Sequence, residues 1–244
     1  MKCGPKPRSP YRFALTTGTI FEESKKPLLM WFKILHLMVT SKKGISALQI
    51  HRMLGTGSYQ TAWYMCMRLR AGMKDPDFRK LMGIVEVDET YMGGLDKNRH
   101  ASKKKHVRGT GAKIPVIGAI SRKGNVVCKM IEHADMPTMH RFVHDIVDKE
   151  KVSLVATDEH SGYQYLARWQ GLPHETVNHR EGEYVRGVVH TNNMESFWSL
   201  LKRGVIGTYH HVSKKYLPLY LAEFQFRFNN RKEADIFGKA IAGC

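Results

Sequence analysis

The sequence GIVEVDETYMGG at residues 83–94 has the pattern of a buried strand that ends in a glycine-rich break. A similar pattern recurs in SLVATDEHSG at residues 153–162, where a short apolar run is followed by an aspartate and a turn. We therefore predict that Asp88 and Asp158 lie at the ends of two strands. An aspartate there is costly to desolvate unless a cation meets it. A single such residue would more often cap the helix or turn that follows.

A third segment, HTNNMESFWSLLKRG at residues 190–204, has the apolar periodicity of an amphipathic helix. It carries Glu195 and, about two helical turns later, Lys202, so both side chains leave the same face. The carboxylate can hold a divalent cation, and the lysine can hold a nucleic-acid phosphate. Two strand-end aspartates and a helical glutamate in one basic chain favour a shared metal site over separate structural roles.

The charge balance of the chain indicates a polyanionic partner. Its 244 residues include 39 Lys and Arg against 22 Asp and Glu, a formal net charge of +17. Nucleic acid and an anionic membrane both fit such a surplus. The longest apolar run, at residues 27–39, is interrupted by Lys33 and His36 and is too short to cross a bilayer. No secretory signal is evident at the start. We expect a cytoplasmic protein that contacts DNA or RNA and no membrane.

The N-terminal third of the chain predicts a small helical domain. Residues 1–25 show no periodicity over most of their length and are interpreted as a flexible start, and residues 26–75 as helical. Two short amphipathic helices, with Ser46 and Ser58 as N-caps, flank a glycine-containing turn, which is typical of a helix-turn-helix. An ordinary helical hairpin is the alternative. If the second helix reads a DNA groove, its candidate contact residues are Tyr59, Gln60, Arg68 and Arg70.

After residues 75–77 the pattern changes from helical to strand-like. The predicted elements are strands at 83–88, 114–121, 125–133, 154–158 and 175–178, and helices at 136–148, 162–170, near 192–204 and 213–229. This order matches the α/β ribonuclease-H-like fold, a mixed sheet with flanking helices, here over residues 80–237. In that fold, acids from the first and fourth strands and from a later helix meet at one edge of the sheet.

A basic segment lies between the first two predicted strands. Residues 93–113 contain seven Lys or Arg residues against the single acid Asp96. Its glycines and its charge favour a mobile loop that wraps a phosphate backbone, and a solvated hairpin tip is the alternative. The candidate DNA-binding residues of this loop are Lys103, Lys104, Lys105 and Arg108.

Several long motifs in this chain resemble the DDE-type transposases of bacterial insertion sequences. They are TGTIFEESKKPL at 17–28, GISALQIHRMLG at 44–55, VEVDETYMGG at 85–94, HTNNMESFWSLLKRGVIGTYHHVS at 190–213 and YLAEFQFRFNNR at 220–231. The resemblance extends over about residues 11–237. It is narrowest to the subgroup that combines a zinc-ribbon N-terminus with a core similar to retroviral integrases.

The resemblance implies roles for individual residues. Asp88, Asp158 and Glu195 correspond to three catalytic acids that hold Mg²⁺ or Mn²⁺, and Lys202 to the basic residue that follows the third acid. Part of the subgroup has asparagine at the third position, so Asn192 remains an alternative ligand. Lys202 and its neighbour Arg203 are expected to contact DNA phosphates. The nearby acids Glu86, Glu89 and Glu159 are the ones most easily mistaken for ligands.

The resemblance also implies an N-terminal zinc ribbon, which requires two pairs of closely spaced cysteines. The four cysteines here are Cys3, Cys66, Cys128 and Cys244, and none lies close to another. We interpret residues 1–25 as the remnant of a lost ribbon and expect no structural zinc.

The function expected on these grounds is metal-dependent cleavage and strand transfer of an insertion sequence by a homo-oligomer bound to DNA. A ribonuclease or resolvase on the same fold would use the same carboxylates. A catalytically inactive or domesticated DNA-binding protein is a further alternative, whereas an anionic-membrane protein would leave the strand-end aspartates unexplained.

Overall fold

The computed structural model describes residues 14, 16–74, 80–94, 102, 113–177 and 189–244. Near the N-terminus, helix α1 spans Leu28–Thr40, α2 spans Ala47–Leu54 and α3 spans Tyr59–Gly72. The Ser46 side chain accepts a hydrogen bond from the backbone N–H of Gln49, and the Ser58 side chain accepts one from Thr61. Both predicted N-caps are therefore confirmed, and the turn at 55–58 separates α2 from α3 as expected.

The helical region has a core built from both ends of the chain. Trp31, Ile34 and Leu35 of α1 are buried against residues of α2 and α3. Helix α8, Ile236–Ala242, joins the same core through Ala240. Burying one large apolar side chain contributes about 1.5–3 kcal/mol. Helix α8 was not predicted from the sequence, because its seven residues are too few for a clear periodicity.

The described residues also form a five-stranded sheet in the order β3-β2-β1-β4-β5. Its strands are β1 (Leu81–Met92), β2 (Ile114–Ser121), β3 (Val126–Met130), β4 (Val147–Asp158) and β5 (His174–Val177). β1, β2 and β3 are antiparallel neighbours, whereas β4 runs parallel to β1, and β5 parallel to β4. The predicted mixed sheet is confirmed, and its order is compatible with a ribonuclease-H-like core.

Two strands are longer than predicted. β1 does not end at Asp88, because residues 89–92 continue to pair with residues 114–117 of β2. β4 begins at Val147 rather than at residue 154, and the preceding helix α4, Met136–Ile146, ends correspondingly early. The polar residues 148–151 hide this first half of β4 from an apolar pattern.

Helices cover both faces of the sheet. α4 and the short helix α5, Leu166–Gln170, cover one face, where Val85 and Val87 of β1 are buried. α6, Asn192–Gly204, and α7, Leu217–Asn229, cover the other. No helix among the described residues combines the length and the apolar character needed to cross a bilayer.

Helix α6 approaches the sheet most closely at Gly118 of β2. A Cβ atom at this position would lie 2.5 Å from Cε of Met194 and 2.7 Å from Cη2 of Trp198. Trp198 is 4% exposed and packs in this core. Because Gly118 pairs with Asp88 across the sheet, this contact sets the distance between α6 and Asp88.

Candidate metal centre and nucleic-acid cleft

Three carboxylates meet where β4 ends beside β1. Asp88, Glu89 and Asp158 each offer an oxygen, and these oxygens all lie within 4.8 Å of one another. Glu86 of β1 pairs with Ala156 of β4. Because the two strands are parallel, Asp88 and Asp158, each two residues further along its strand, lie side by side. Asp88 and Asp158 thus converge as predicted. Clustered carboxylate oxygens suit a hard divalent cation such as Mg²⁺ or Mn²⁺.

Glu89 is a member of this acid cluster that the sequence analysis did not assign as a ligand. Its side chain is 6% exposed, accepts a hydrogen bond of 3.1 Å from the hydroxyl of Tyr163 and lies 3.7 Å from Nε2 of His160. Strand alternation places Glu89 and Asp88 on opposite faces of β1. The backbone N–H of Glu89 nevertheless donates to Oδ1 of Asp88 at 2.8 Å. The adjacent Asp-Glu pair in the sequence was the available signal.

The electrostatics of the acid cluster fit a bound cation. Burial, followed by the repulsion of Glu89, Asp158 and Glu195, raises the pKa of Asp88 to about 8. Burial and the charge of Asp158 likewise raise the pKa of Glu89 above its ordinary value. Carboxylates held together at such a cost resist ionisation, and a divalent cation would relieve their repulsion. The donor set and its charge therefore match the metal that the sequence analysis expected.

Glu195 faces the same cleft from α6. Asp88, Glu89, Glu195 and Lys202 line a cleft of about 640 Å³. The Glu195 carboxylate is close enough to raise the pKa of Asp88, and it accepts a hydrogen bond of 3.2 Å from the Thr191 hydroxyl. Among the described residues it is not in the group whose oxygens lie within 4.8 Å. Its role as third ligand therefore stays a prediction.

The two neighbouring asparagines on α6 have different environments. Asn192, the alternative ligand, is the first residue of the helix and is exposed. Asn193 instead uses its side-chain amide and its backbone N–H to bind Glu86, at 2.7 and 2.9 Å. Asn192 as a metal ligand also stays a prediction.

Glu86 anchors the start of α6 to the sheet. Its carboxylate is fully buried and accepts hydrogen bonds from the backbone N–H groups of Asn193 and Met194, two of the unpaired donors of the first helical turn. Arg122 lies 2.8 Å from the same carboxylate, and Nδ1 of His190 lies 3.3 Å away. The Thr191 side chain makes no cap hydrogen bond, so Glu86 supplies the cap.

Cationic residues border the cleft. Lys202 and Arg203, both predicted to contact DNA, line it from α6, and Lys43 lines it from the connection between α1 and α2. All three side chains are exposed, so their charges face solvent beside the acid cluster. The cleft therefore offers anchor points for phosphates next to oxygens that suit a divalent cation.

The groove-reading residues predicted on α3 separate into two groups. Tyr59 and Gln60 are exposed in its first turn. Arg68 is half-buried: its guanidinium lies over the rings of Trp31 and Tyr64 and donates to the carbonyl oxygen of Glu22. Tyr59, Gln60 and Arg68 remain candidates for DNA contact.

The prediction for Arg70 was wrong. This side chain is 1% exposed, its Nε donates to Glu223 at 2.7 Å, and its guanidinium lies 4.1 Å from the ring centroid of Tyr220. Arg70 falls four residues after Cys66 on the buried face of α3, so helical periodicity outweighs the charge that suggested a surface role.

The basic-loop candidates lie outside the described residues. Lys103, Lys104, Lys105 and Arg108 fall within 103–112. Their predicted contact with DNA stays a prediction.

The fold and the acid cluster together define a class of protein. A mixed sheet in this order is compatible with a ribonuclease-H-like core, and carboxylates from two adjacent strands meet beside a cleft that Glu195 lines from α6. Residues 80–229 match the family model of the ISXO2-like transposase domain, and the chain belongs to this family of DDE-type insertion-sequence transposases. It is also 31% identical, over 221 residues, to an uncharacterized protein in transposable element ISH50 of Halobacterium salinarum. That alignment covers 86% of this chain and 73% of the relative.

Proposed function

We propose that the protein cleaves DNA at the ends of an insertion sequence and joins the freed 3′ ends to target DNA. The observation that carries this proposal is the group of three carboxylates, two of which, Asp88 and Glu89, line a cleft bordered by cations. Membership of a transposase family supports the same reaction. In cleavage the attacking oxygen belongs to water, and in joining it belongs to the freed 3′-hydroxyl. In both steps this oxygen forms a bond to phosphorus while the bond from phosphorus to a 3′ oxygen breaks, so one site can serve both.

The acidic and basic residues of the site have different proposed roles. Asp88 and Asp158, with Glu89 and Glu195 nearby, would hold Mg²⁺ or Mn²⁺ through carboxylate oxygens. A divalent cation bound there supplies Lewis-acid activation of the attacking oxygen and stabilises the departing 3′ oxygen. Lys202 holds a phosphate of the DNA strand in the cleft.

DNA outside the cleft is held by other parts of the chain. Tyr59 and Gln60 are placed on the exposed first turn of α3, where a recognition helix makes its base contacts. The high positive charge of the chain supports a long contact with the phosphate backbone. We infer that the working form is a homo-oligomer, since an element has two ends that must be joined to one target.

The test is a cleavage and joining assay on labelled duplexes that carry the inverted repeats flanking the gene. We expect the wild type with Mg²⁺ to nick the repeat end and to join it to a second duplex. Asp88→Ala and Asp158→Ala should lower the rate by at least about a thousandfold, because each removes a carboxylate that would hold the divalent cation needed for the transition state. DNA affinity should change less than about threefold, since these acids do not attract phosphates.

The matched control is Asp148→Ala, which removes an acid from the opposite end of β4, where Lys151 lies 3.6 Å away. It should leave the rate unchanged. A wild type that binds the repeats without cutting them would contradict the proposal and favour a DNA-binding protein without catalytic activity. Cutting without joining would favour a nuclease.

A further inference from the structure

The connection between α1 and α2 belongs to the helical region but reaches the catalytic cleft. Lys43, on this connection, lines the cleft together with Asp88, Glu195 and Lys202. The family match begins at residue 80, so Lys43 lies outside the matched domain. Nothing in the sequence motifs singles out this lysine.

The backbone of this connection is fixed against the sheet-bearing region. Arg227 of α7 donates Nη1 hydrogen bonds to the carbonyl oxygens of Ser41 and Lys42, the latter at 3.0 Å. The same guanidinium lies 3.4 Å from the buried carboxylate of Glu223. The contact is therefore charge-assisted and half-buried, which makes it stronger than an exposed loop contact.

Two glycines complete this packing. Gly44 has a positive φ of 85°, and a Cβ atom there would overlap the hydroxyl of Tyr209. A Cβ atom on Gly204, the last residue of α6, would lie 2.9 Å from the carbonyl oxygen of Lys43. The main chain at Lys43 therefore touches the end of the helix that carries Glu195 and Lys202.

The position of Lys43 matches the charge requirement of the substrate. The acid cluster repels DNA phosphates, so a strand can approach it only where cations compensate. The cleft that Asp88, Glu89 and Glu195 line is also lined by three cations, Lys43, Lys202 and Arg203. An exposed lysine on a fixed backbone can contact a phosphate without the cost of ordering a loop.

The geometry points to Lys43 as a DNA-phosphate contact inside the catalytic cleft, so that the helical region completes the active site. This inference rests on the proposed function, because it takes DNA as the substrate of the cleft. Lys43 binds the strand that Lys202 and Arg203 also hold. Its contribution is to substrate affinity and not to the chemical step.

The experiment compares Lys43→Ala with Lys42→Ala in the full chain. Lys42 is exposed and adjacent, but it lines a different cavity, beside Phe228. The binding of a fluorescein-labelled duplex of about 40 base pairs is measured by anisotropy over a series of NaCl concentrations. We expect Lys43→Ala to weaken binding roughly fivefold to tenfold and to lower the salt slope by about 1. Lys42→Ala should change affinity less than about twofold.

Equal losses for the two variants would overturn the inference, because they would indicate general surface charge. An unchanged affinity of Lys43→Ala, with the wild type bound, would overturn it as well. Thermal melting of both variants verifies that the fold is intact. In the cleavage assay Lys43→Ala should raise KM severalfold and leave kcat within about twofold, whereas a loss in kcat alone would count against a binding role.

The two hypotheses fail in different ways. If Asp88→Ala still cuts DNA while Lys43→Ala binds weakly, the proposed catalytic site is wrong and the Lys43 contact stands. If Asp88→Ala is inactive while Lys43→Ala matches the wild type, the reverse holds. A wild type that binds no duplex contradicts both.

Discussion

Replacing Asp88 by Asn should stabilise the metal-free protein at neutral and alkaline pH, although it removes a residue proposed to be essential for catalysis. Asp88 is buried and is also repelled by Glu89, Asp158 and Glu195, so its carboxyl group resists ionisation. Asn keeps the size and an acceptor oxygen for the 2.8 Å hydrogen bond from the N–H of Glu89. It removes the charge, so the repulsion disappears while the packing is retained.

The magnitude follows from the pKa of Asp88, which is raised from 3.8 to about 8. The folded state therefore binds this proton more tightly than the unfolded state does. The stabilisation that the bound proton gives to the folded state is fully present below pH 3.8 and is lost as the pH rises through 8. Each pH unit between these two pKa values corresponds to about 1.4 kcal/mol, so the upper limit is about 6 kcal/mol. Partial hydration reduces this limit, and we expect Asp88→Asn to gain about 2–3 kcal/mol at pH 9, or roughly 5–10 °C in Tm.

The assay is thermal unfolding in EDTA between pH 5 and pH 9. The gain of Asp88→Asn over the wild type should grow as the pH rises, whereas Asp148→Asn, at the other end of β4, should show no such trend. Saturating Mn²⁺ should stabilise the wild type more than Asp88→Asn. If Asp88→Asn melts below the wild type in EDTA at pH 9, an ionised Asp88 does not destabilise the folded protein and the reasoning is refuted.

Three other variants test how the site is supported. Glu86→Ala removes the cap of α6 and the partner of Arg122, so the free energy of unfolding in urea should fall by about 2–4 kcal/mol; a loss under about 0.5 kcal/mol would contradict the capping role. Arg70→Ala removes the closer of the two cations at the buried Glu223 carboxylate and leaves Arg227 at 3.4 Å, so it should cost about 3 kcal/mol while the affinity for duplex DNA stays within about twofold; weaker DNA binding at unchanged stability would restore Arg70 as a DNA contact. Gly118→Ala inserts a methyl group against Trp198 and should lower the free energy of unfolding by about 1–3 kcal/mol, and the displacement of α6 from β1 should slow cleavage. Wild-type stability in urea would show that α6 packs less closely against Gly118 than described.

The sequence was most informative where local chemistry and structure agree. Ser46 and Ser58 are followed at once by apolar periodicity, and both form the predicted caps. Asp88 and Asp158 follow apolar runs on strands that prove to be adjacent and parallel, so their convergence could be predicted from the order of elements. The cap signals lie within a few residues of one another and need no tertiary information.

The parts that failed depend on contacts between distant segments. Glu86 caps a helix that begins more than a hundred residues later, and no local pattern reports that partnership. Glu89 reaches the acid cluster although alternation places it on the other face of β1. Arg70 was assigned to the surface because of its charge, and its buried partner Glu223 lies on α7. Tertiary pairing decided each of these positions.

A diffraction experiment on crystals soaked in Mn²⁺ gives the most direct test of the metal centre. We expect an anomalous peak bound by oxygens of Asp88 and Asp158 at about 2.1–2.3 Å, with Glu89, Glu195 or Asn192 completing the site according to which side chain lies within the same distance. Crystals of Asp88→Asn under the same conditions should lose most of the peak. If crystals at saturating Mn²⁺ show no anomalous peak between Asp88 and Asp158, or show the ion bound elsewhere, the proposed metal centre is contradicted.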